Sequence, residues 1–212
     1  ENYSLCAGEA YRNQPSAALC SGFLVGPDLI ATAGHCIPTF SSCEKYAWVF
    51  GYRMKSAIDI PDHFDGDDVY RCKELVKSAQ TGRQDFALIR LDRPVRHARA
   101  LTVRPRGDAK VGDEVFVVGH PMGIPTKIAD GAQVRKWDPS KSFFITNLDT
   151  YGGNSGSAVF NAKTLEVEGI LVRGERDLTP GGGCYQSNVC ENMSCRGEDV
   201  TNIKFIRQLL EP

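Results

Sequence analysis

Hydrophobic residues fall in short runs along most of the chain, and Gly, Pro, Asp or Asn separates one run from the next. Many runs have the length of a β-strand and are rich in β-branched and aromatic residues: SGFLVG, DLIATAG, YAWVFGY, DFALIRL, DEVFVVGH, SFFITNLD, SGSAVF and VEGILVRG. Runs of this kind at this spacing are typical of an antiparallel barrel or sandwich. The pattern therefore predicts an all-β fold for most of the chain.

The last segment has a different periodicity. Its apolar side chains change to near-helical spacing at Val200, Ile203, Ile206, Leu209 and Leu210. Asp199 precedes them and can cap a helix, so we predict one amphipathic α-helix over about 199–211.

A charged, Pro-containing stretch, RLDRPVRHARALTVRPRGD, interrupts the strands near the middle of the chain. We predict a single domain, 1–212, with one β unit at about 15–95 and a second at about 108–198. Two packed β units leave a cleft between them, and such clefts are the usual place for a site assembled from distant segments.

Composition limits the choice of partners. The net charge of the 212 residues is −1 and both signs are interspersed, so no overall field favours nucleic acid or an anionic membrane. No apolar run has the length of a membrane span, and residue 1 onward lacks a signal-peptide pattern. We expect a monomer that binds neither nucleic acid nor membrane, whose leader, if it is exported, has been removed.

Eight cysteines are many for a cytosolic enzyme of this length, and their spacing is not that of paired C-x-x-C zinc ligands. The even count predicts up to four disulfides and an oxidising compartment, so we expect a secreted or periplasmic protein. The acidic segment 59–68, DIPDHFDGDD, matches no calcium-binding loop. We expect neither a metal nor a cofactor.

Three separated patterns carry candidate chemistry: IATAGHC at 30–36, QDFALIRL at 84–91 and YGGNSGS at 151–157. A histidine can act as a general base near neutral pH, a buried aspartate can orient it, and a serine between glycines can attack a carbonyl. Taken singly, each pattern also has a plain structural interpretation: a core histidine, a turn-capping aspartate and a Gly/Ser surface turn.

The order His, Asp, Ser with these flanking residues resembles the chymotrypsin-like serine proteases, from about Leu19 to the C-terminal helix. The residues around Ser155 are most similar to the bacterial glutamyl endopeptidase branch. The resemblance implies two antiparallel six-stranded β-barrels packed face to face. It also implies that His35 is the general base, Asp85 its orienter and Ser155 the nucleophile. Gly153 and Ser155 would donate backbone N–H groups to the oxyanion, which explains a loop with so few side chains.

The resemblance also implies a disulfide between Cys20 and Cys36 that fixes the loop holding His35. Cys43 and Cys72 are a candidate second bridge. The remaining four cysteines admit several pairings, which the sequence does not rank: Cys6, Cys184, Cys190 and Cys195. The segment GGGCYQSNVCENMSC departs from the glutamyl branch, and we expect it to staple a long loop near the cleft.

Two further departures concern activation and the triad. Trypsin-type zymogens pair a freed N-terminus with an aspartate just before the nucleophile, but this chain has Asn154 there and begins ENYSL. We therefore do not expect that switch. Val172 stands where trypsins place a serine whose hydroxyl supports the triad aspartate, so Asp85 is expected to have one hydrogen bond fewer.

The specificity signals conflict. Asp149, six residues before Ser155, stands where trypsins place the carboxylate that attracts Arg or Lys, although some glutamyl endopeptidases share DTYGG. The strand that follows supplies the other substrate-binding candidates: Leu171, Val172, Arg173 and Gly174. Leu171 replaces the histidine with which glutamyl endopeptidases receive an acidic substrate, and Arg173 lies close enough along the strand to pair with Asp149. We favour cleavage after Arg or Lys and keep Glu and medium apolar residues as alternatives.

The leading hypothesis is a secreted serine endopeptidase that cleaves protein or peptide substrates through an acyl-enzyme. A catalytically silent binding module is the main alternative, because a fold does not establish a function. An esterase that uses the same triad is a third possibility.

Overall fold

The structure is a computed structural model that describes residues 4–56, 58–59, 61, 63–81, 84–137 and 142–211. Residues 1–3 of the start ENYSL lie outside the described residues, as do positions 60 and 62 of the acidic segment considered above.

Five antiparallel strands form the N-terminal sheet, in the order β1-β2-β5-β4-β3. Their bounds are β1 (Phe23–Leu24), β2 (Leu29–Thr32), β3 (Ala47–Val49), β4 (Val69–Gln80) and β5 (Asp85–Leu91). β5 has six buried residues out of seven, as expected of an apolar run in the middle of a sheet. In the described residues this sheet is open, which differs from the closed six-stranded barrel that we expected. The strand at one edge, β1, has only two residues.

A closed six-stranded barrel forms the C-terminal half, with its strands in the order β10-β13-β8-β7-β6-β9. Its bounds are β6 (Glu114–Gly119), β7 (Lys127–Trp137), β8 (Phe143–Thr146), β9 (Ala158–Asn161), β10 (Val167–Arg173) and β13 (Glu198–Asn202). A separate hairpin, β11 (Leu178–Pro180) and β12 (Tyr185–Ser187), lies in the segment between β10 and β13.

The described residues contain two short α-helices, α1 (Phe40–Lys45) and α2 (Lys204–Leu210), and two 3₁₀ turns, Gly66–Asp68 and Pro121–Gly123. α2 starts later than the helix predicted over about 199–211, because Glu198–Asn202 pair with both β10 and β8 and close the barrel. All five residues of β13 are buried. None of the helices in the described part of the chain has the length and apolarity needed to cross a membrane.

One hydrophobic core joins the two halves. It contains buried side chains from the N-terminal sheet, from the C-terminal barrel and from α2: Phe23, Ala31, Phe86, Leu88, Ala158, Ile170, Val172 and Ile206. Phe86 of β5 and Phe205 of α2 stack with their ring centroids 5.3 Å apart. The all-β class with a C-terminal helix is confirmed, and the shared core holds the two β units face to face.

All eight cysteines are paired, as Cys6–Cys184, Cys20–Cys36, Cys43–Cys72 and Cys190–Cys195. Cys43–Cys72 fastens α1 to β4, and Cys190–Cys195 closes a short loop before β13. Cys6–Cys184 joins residues 178 positions apart, and the pairing pattern was one of several that the sequence left open.

Candidate active site

His35 and Asp85 meet because β2 and β5 are antiparallel neighbours. Thr32, the last residue of β2, lies opposite Ala87 near the start of β5, so the turn after β2 reaches the first residue of β5. A side chain on Gly34 would have its Cβ 2.1 Å from the Ala79 carbonyl oxygen, and only glycine lets this turn approach so closely.

Asp85 holds His35 through two contacts. The backbone N–H of His35 donates to Asp85 Oδ1 at 3.0 Å, and Nδ1 lies 2.9 Å from Oδ2. A carboxylate accepts only, so Nδ1 carries the proton and Nε2 is left as the basic nitrogen. Within the described residues both hydrogen bonds to the carboxylate come from His35, and Val172, in the place of the trypsin serine, adds none. Asp85 is 7% exposed, which favours a fixed orientation.

Ser155 lies in the nucleophile loop, residues 151–157, whose backbone makes tight turns. Gly153 and Gly156 have φ of +92° and +90°, values that L side chains rarely adopt. A Cβ on Gly153 would lie 2.5 Å from the His120 carbonyl oxygen, and one on Gly156 would lie 2.1 Å from that of Ser21. The small residues of this loop are therefore required by its conformation and by its close packing.

The backbone N–H groups on either side of Asn154 in this loop have no acceptor among the described residues. The neighbouring groups are used: Gly152 N donates to Asp177 Oδ2 at 2.6 Å, and Asn154 N donates to the Tyr151 carbonyl at 3.0 Å. For Gly153 and Ser155, the described residues supply no partner to the backbone N–H. These are the two groups that an oxyanion hole requires.

The fold brings the nucleophile loop against the turn that carries His35. The Ser155 carbonyl oxygen accepts a hydrogen bond from Ser21 N at 2.8 Å and lies 3.7 Å from the Cys36 sulfur. On the other side, the Ser155 hydroxyl lies 3.5 Å from the Val172 carbonyl oxygen on β10. The three candidate catalytic side chains therefore belong to contiguous segments at the junction of the two halves.

A family model described as a trypsin-like peptidase domain matches residues 20–170, well over half of the 212 residues. The chain belongs to the trypsin-like peptidase family. The matched range contains His35, Asp85 and Ser155 in that order, so the resemblance drawn from the sequence is confirmed at the level of the family.

Curated relatives of this trypsin-like peptidase include two Bacillus proteins. A glutamyl endopeptidase of Bacillus licheniformis is 28% identical over 157 aligned positions, and the match covers 68% of this chain and 46% of that protein. An extracellular metalloprotease of Bacillus subtilis is 27% identical over 184 aligned positions, and the match covers 82% of this chain and 55% of that protein. The chain spans about half the length of the curated relatives it matches.

Solved structures share the fold. A Glu endopeptidase structure has a TM-score of 0.61 at 19% identity, covering 90% of this chain and 84% of that chain. A serine endoprotease from Yersinia pestis has a TM-score of 0.58 at 15% identity, covering 98% of this chain and 59% of that chain. At these identities the likeness supports the fold alone.

One of the relatives is named a metalloprotease, which raises the question of a metal site. In the part of the chain that the structure describes, one group of three possible ligands lies close together, namely Cys20, His35 and Cys36. The two sulfurs of this group are bonded to each other, and a metal needs free thiolates. These residues do not fit a metal.

The pair that the resemblance implied, Cys20 and Cys36, is joined in the structure directly after His35. Ser21, the next residue after Cys20, is a positioning residue that the sequence did not reveal. It is 2% exposed, and its hydroxyl donates to the Gly153 carbonyl at 2.9 Å and accepts from His120 N at 3.0 Å. A serine beside a cysteine has no sequence signature, because its role depends on contacts 99 and 132 positions away.

His120 borders the same cavity as His35. Its ring stacks on Tyr52 with the centroids 5.5 Å apart, and Nδ1 lies 3.1 Å from the Ile124 carbonyl oxygen. Burial lowers the pKa of His120, and the nearby Lys127 lowers it further. A neutral, stacked ring held by backbone is consistent with a structural role.

An N-terminal arm, residues 4–18, runs along the nucleophile loop. Ser16 donates to the Met122 carbonyl at 2.7 Å, and Met122 N donates to the Gly152 carbonyl at 2.5 Å. Farther along, Ser187 donates to Glu9 at 2.5 Å and accepts from the Tyr151 hydroxyl at 2.8 Å. Two chains of hydrogen bonds thus link the arm to the nucleophile loop, one through Met122 and one through Ser187. The sequence does not indicate this support.

The residues predicted to bind substrate divide into two groups. Leu171 and Val172 are each 2% exposed and belong to the barrel wall, whereas Arg173 and Gly174 face outward. The predicted pairing of Arg173 with Asp149 is wrong, because Arg173 Nε donates to Asp199 Oδ2 at 2.7 Å. Arg173 and Asp199 are paired residues on the neighbouring strands β10 and β13, so their side chains lie next to each other.

Asp149 itself is exposed, while another carboxylate is buried nearby. Glu198, at the head of β13, is 7% exposed and accepts a hydrogen bond from Thr150 Oγ1 at 2.7 Å. Glu198 was not among the residues predicted to bind substrate. Its one signal is an acidic pair, Glu198 and Asp199, at the start of a run that barrel closure buries.

Proposed function

We propose that this protein is a secreted serine endopeptidase that hydrolyses peptide bonds through an acyl-enzyme on Ser155. The observation that carries the proposal is the junction at which the His35–Asp85 pair adjoins a nucleophile loop whose Gly153 N and Ser155 N have no acceptor among the described residues. The two β units, about 15–95 and 108–198, act together with α2 as one peptidase domain, because the catalytic groups come from both.

The chemistry follows from the roles of these groups. Ser155 Oγ attacks the substrate carbonyl carbon while His35 Nε2 takes the hydroxyl proton, and Asp85 stabilises the imidazolium that forms. The oxyanion accepts hydrogen bonds from Gly153 N and Ser155 N. Collapse of the intermediate breaks the C–N bond, and His35 returns the proton to the leaving amine. Water then attacks the acyl-enzyme, with His35 as base, which releases the acid product and restores Ser155.

Side chains around the cleft support substrates that carry Arg or Lys before the scissile bond. The buried Glu198 and the half-buried Asp177 line one cavity beside the nucleophile loop, and buried carboxylates favour a cationic ligand. A relative is named glutamyl endopeptidase, so cleavage after Glu is the second candidate. Leu171, in place of the histidine used by that branch, offers no group to an acidic side chain.

Secretion is supported by the four disulfides, which persist in oxidising compartments. One relative is named an extracellular protease. We expect the protein to act on proteins and peptides outside the cytosol, without a resident metal or cofactor.

A fluorophosphonate probe tests the catalytic assignment. We expect covalent labelling of Ser155 in the parent and none in Ser155→Ala, with the labelled peptide identified by mass spectrometry. Cleavage of a denatured protein mixture by the parent, with the product termini sequenced, then reports activity and specificity. A folded parent that neither labels nor cleaves would instead be a catalytically silent binding module. Turnover of esters with no protein cleavage would indicate an esterase.

A further inference from the structure

Glu198 is a buried carboxylate at the side of the candidate cleft. It is 7% exposed, and each of its oxygens accepts one hydrogen bond, Oε2 from Thr150 Oγ1 at 2.7 Å and Oε1 from Glu175 N at 3.2 Å. A carboxylate has about four acceptor positions. About two of them are therefore left for another donor.

The carboxylate lies between Thr150, next to the nucleophile loop, and Gly174, at the end of β10. Thr150 comes five residues before Ser155, and Gly174 directly follows β10, whose Val172 carbonyl oxygen is near the Ser155 hydroxyl. A Cβ built on Gly174 would be 1.9 Å from both carboxylate oxygens. Glu198 thus packs flat against bare backbone in the space beside the nucleophile.

A cavity of about 340 Å³ opens at this point. Its charged lining has five carboxylates and two guanidinium groups: Asp149, Glu175, Asp177, Glu191 and Glu198 against Arg135 and Arg176. Arg135 donates to the carbonyls of Cys195 and Met193. Among the described residues, no cationic nitrogen lies within 4.0 Å of the Glu198 carboxylate.

Burial raises the pKa of Glu198, the negative charge of Asp177 adds to that rise, and the hydrogen bonds from Thr150 and Glu175 and the charge of Arg196 oppose it. A buried carboxylate without an ion-pair partner is a costly arrangement. A cation that enters the cavity removes this cost. The same cavity shares Tyr151 and Asp177 with the space at Gly152 and Gly153, so it adjoins the oxyanion donors.

We propose that Glu198, and not the exposed Asp149, is the specificity-determining carboxylate, which receives the guanidinium or ammonium group of an Arg or Lys side chain in the substrate. The proposal rests on the proposed function, since it names the substrate class of that same site. Thr150 and Glu175 N hold the carboxylate in place, and the absence of a Gly174 side chain makes room for it. An arginine can pair with both oxygens, because its donors match a carboxylate.

The test compares Glu198→Gln with the matched control Asp149→Asn. Glutamine preserves the shape and can accept from Glu175 N while its amide donates to the rotatable Thr150 hydroxyl. We expect kcat/KM for peptides with Arg or Lys before the scissile bond to fall about 100-fold or more in Glu198→Gln. We expect a change of less than about threefold in Asp149→Asn. Peptides with Leu at that position should be cleaved as well as, or better than, by the parent.

Fluorophosphonate labelling and hydrolysis of an acetylglycine ester separate this inference from the proposed function, because neither needs a side chain in the cavity. If the parent does not label, the proposed function fails. If labelling and ester hydrolysis are normal but Glu198→Gln still cleaves basic sites within threefold of the parent, the inference is overturned. A parent that prefers Glu or apolar residues overturns it as well.

Benzamidine binding provides a second measurement that does not depend on the folding of Glu198→Gln. Benzamidine carries a planar cation that resembles the end of arginine. We expect it to inhibit both the parent and Asp149→Asn, with inhibition constants within about threefold of each other. Loss of inhibition in Asp149→Asn would identify Asp149 as the specificity-determining carboxylate and overturn the inference.

Discussion

The proposed catalytic centre and the proposed specificity cavity are built in opposite ways. His35, Asp85 and Ser155 lie in short segments whose neighbours are fixed by local geometry, since Gly34, Gly153 and Gly156 have no room for a side chain or adopt positive φ. The cavity is instead lined by charged residues from several loops and from β13. The proposed catalytic residues therefore have a strong local sequence signature, whereas the residues proposed to determine specificity have a weak one.

This difference predicts which kinetic property a substitution affects in each region. Close backbone contacts constrain the loop around Ser155, so a substitution there should affect the chemical step. The cavity is lined by side chains from loops and from the start of β13, so a substitution there should affect which side chain it receives. We therefore expect substitutions in the first region to change kcat and substitutions in the second to change the ranking of substrates.

The largest effect should come from the catalytic centre. His35→Ala and Ser155→Ala should each lower kcat by several orders of magnitude, because the base or the nucleophile is missing, while circular dichroism shows an intact fold. His97→Ala is the matched control, since His97 is exposed. An equally damaging His97→Ala with unchanged stability would contradict the assignment of His35.

Removal of one disulfide from each region should affect kcat in the first region and mainly KM in the second. Replacing both Cys20 and Cys36 by Ser opens a loop of 16 residues, and loop entropy predicts a loss of about 3 kcal/mol in the free energy of unfolding. It should also lower kcat, because His35 directly precedes Cys36. Replacing Cys190 and Cys195, five residues apart, should mainly raise KM. Urea denaturation and steady-state kinetics measure both; a Cys190/Cys195 variant with reduced kcat and unchanged KM would contradict the division.

The pH dependence can separate the two regions in one enzyme. His35 must be neutral to accept the serine proton, so activity on every substrate should share the same dependence on the protonation of His35. The ratio of kcat/KM for an Arg peptide to that for a Leu peptide cancels this common dependence. Because burial raises the pKa of Glu198, the ratio should fall as the pH decreases through that raised value, where the carboxylate becomes neutral. A ratio that is constant down to the ordinary range of Glu would contradict a selector role.

The smallest effect concerns stability. The pKa of Glu198 is raised in the folded state, mainly by burial, so between the unfolded and folded values the folded protein binds more protons. Its free energy of unfolding then falls as pH rises through this window and stays reduced above it. Glu198→Gln should therefore raise Tm near pH 7, and the gain should vanish below about pH 4. Calorimetry at both values measures this; a lower Tm near pH 7 would contradict it.

The sequence indicated much of this structure where local pattern and burial agree. DFALIRL is a central strand, and IATAGHC and YGGNSGS converge as the family resemblance implied. The helix start was misjudged because Asp199 and Val200 have helical spacing but are drawn into β13, where pairing with two strands outweighs local preference.

The contacts of the specificity cavity could not be predicted from the sequence, for a physical reason. Arg173 was assigned to Asp149 by closeness along the chain, yet its partner is set by the register between β10 and β13. Glu198 contacts Thr150 and Gly174 across separations that no periodicity encodes. Contacts of this kind depend on the tertiary fold, and a single sequence does not reveal them.

The bond between Cys6 and Cys184 encloses nearly the whole chain in one covalent ring. Any single cut between these residues, including one that the enzyme makes in itself, opens the ring without releasing a fragment. A nicked molecule therefore keeps its mass, apart from one added water, until the sulfurs are reduced, so it migrates as one band without reductant and as two with it. A single cut in an exposed loop between Cys6 and Cys184 therefore does not release any part of the chain.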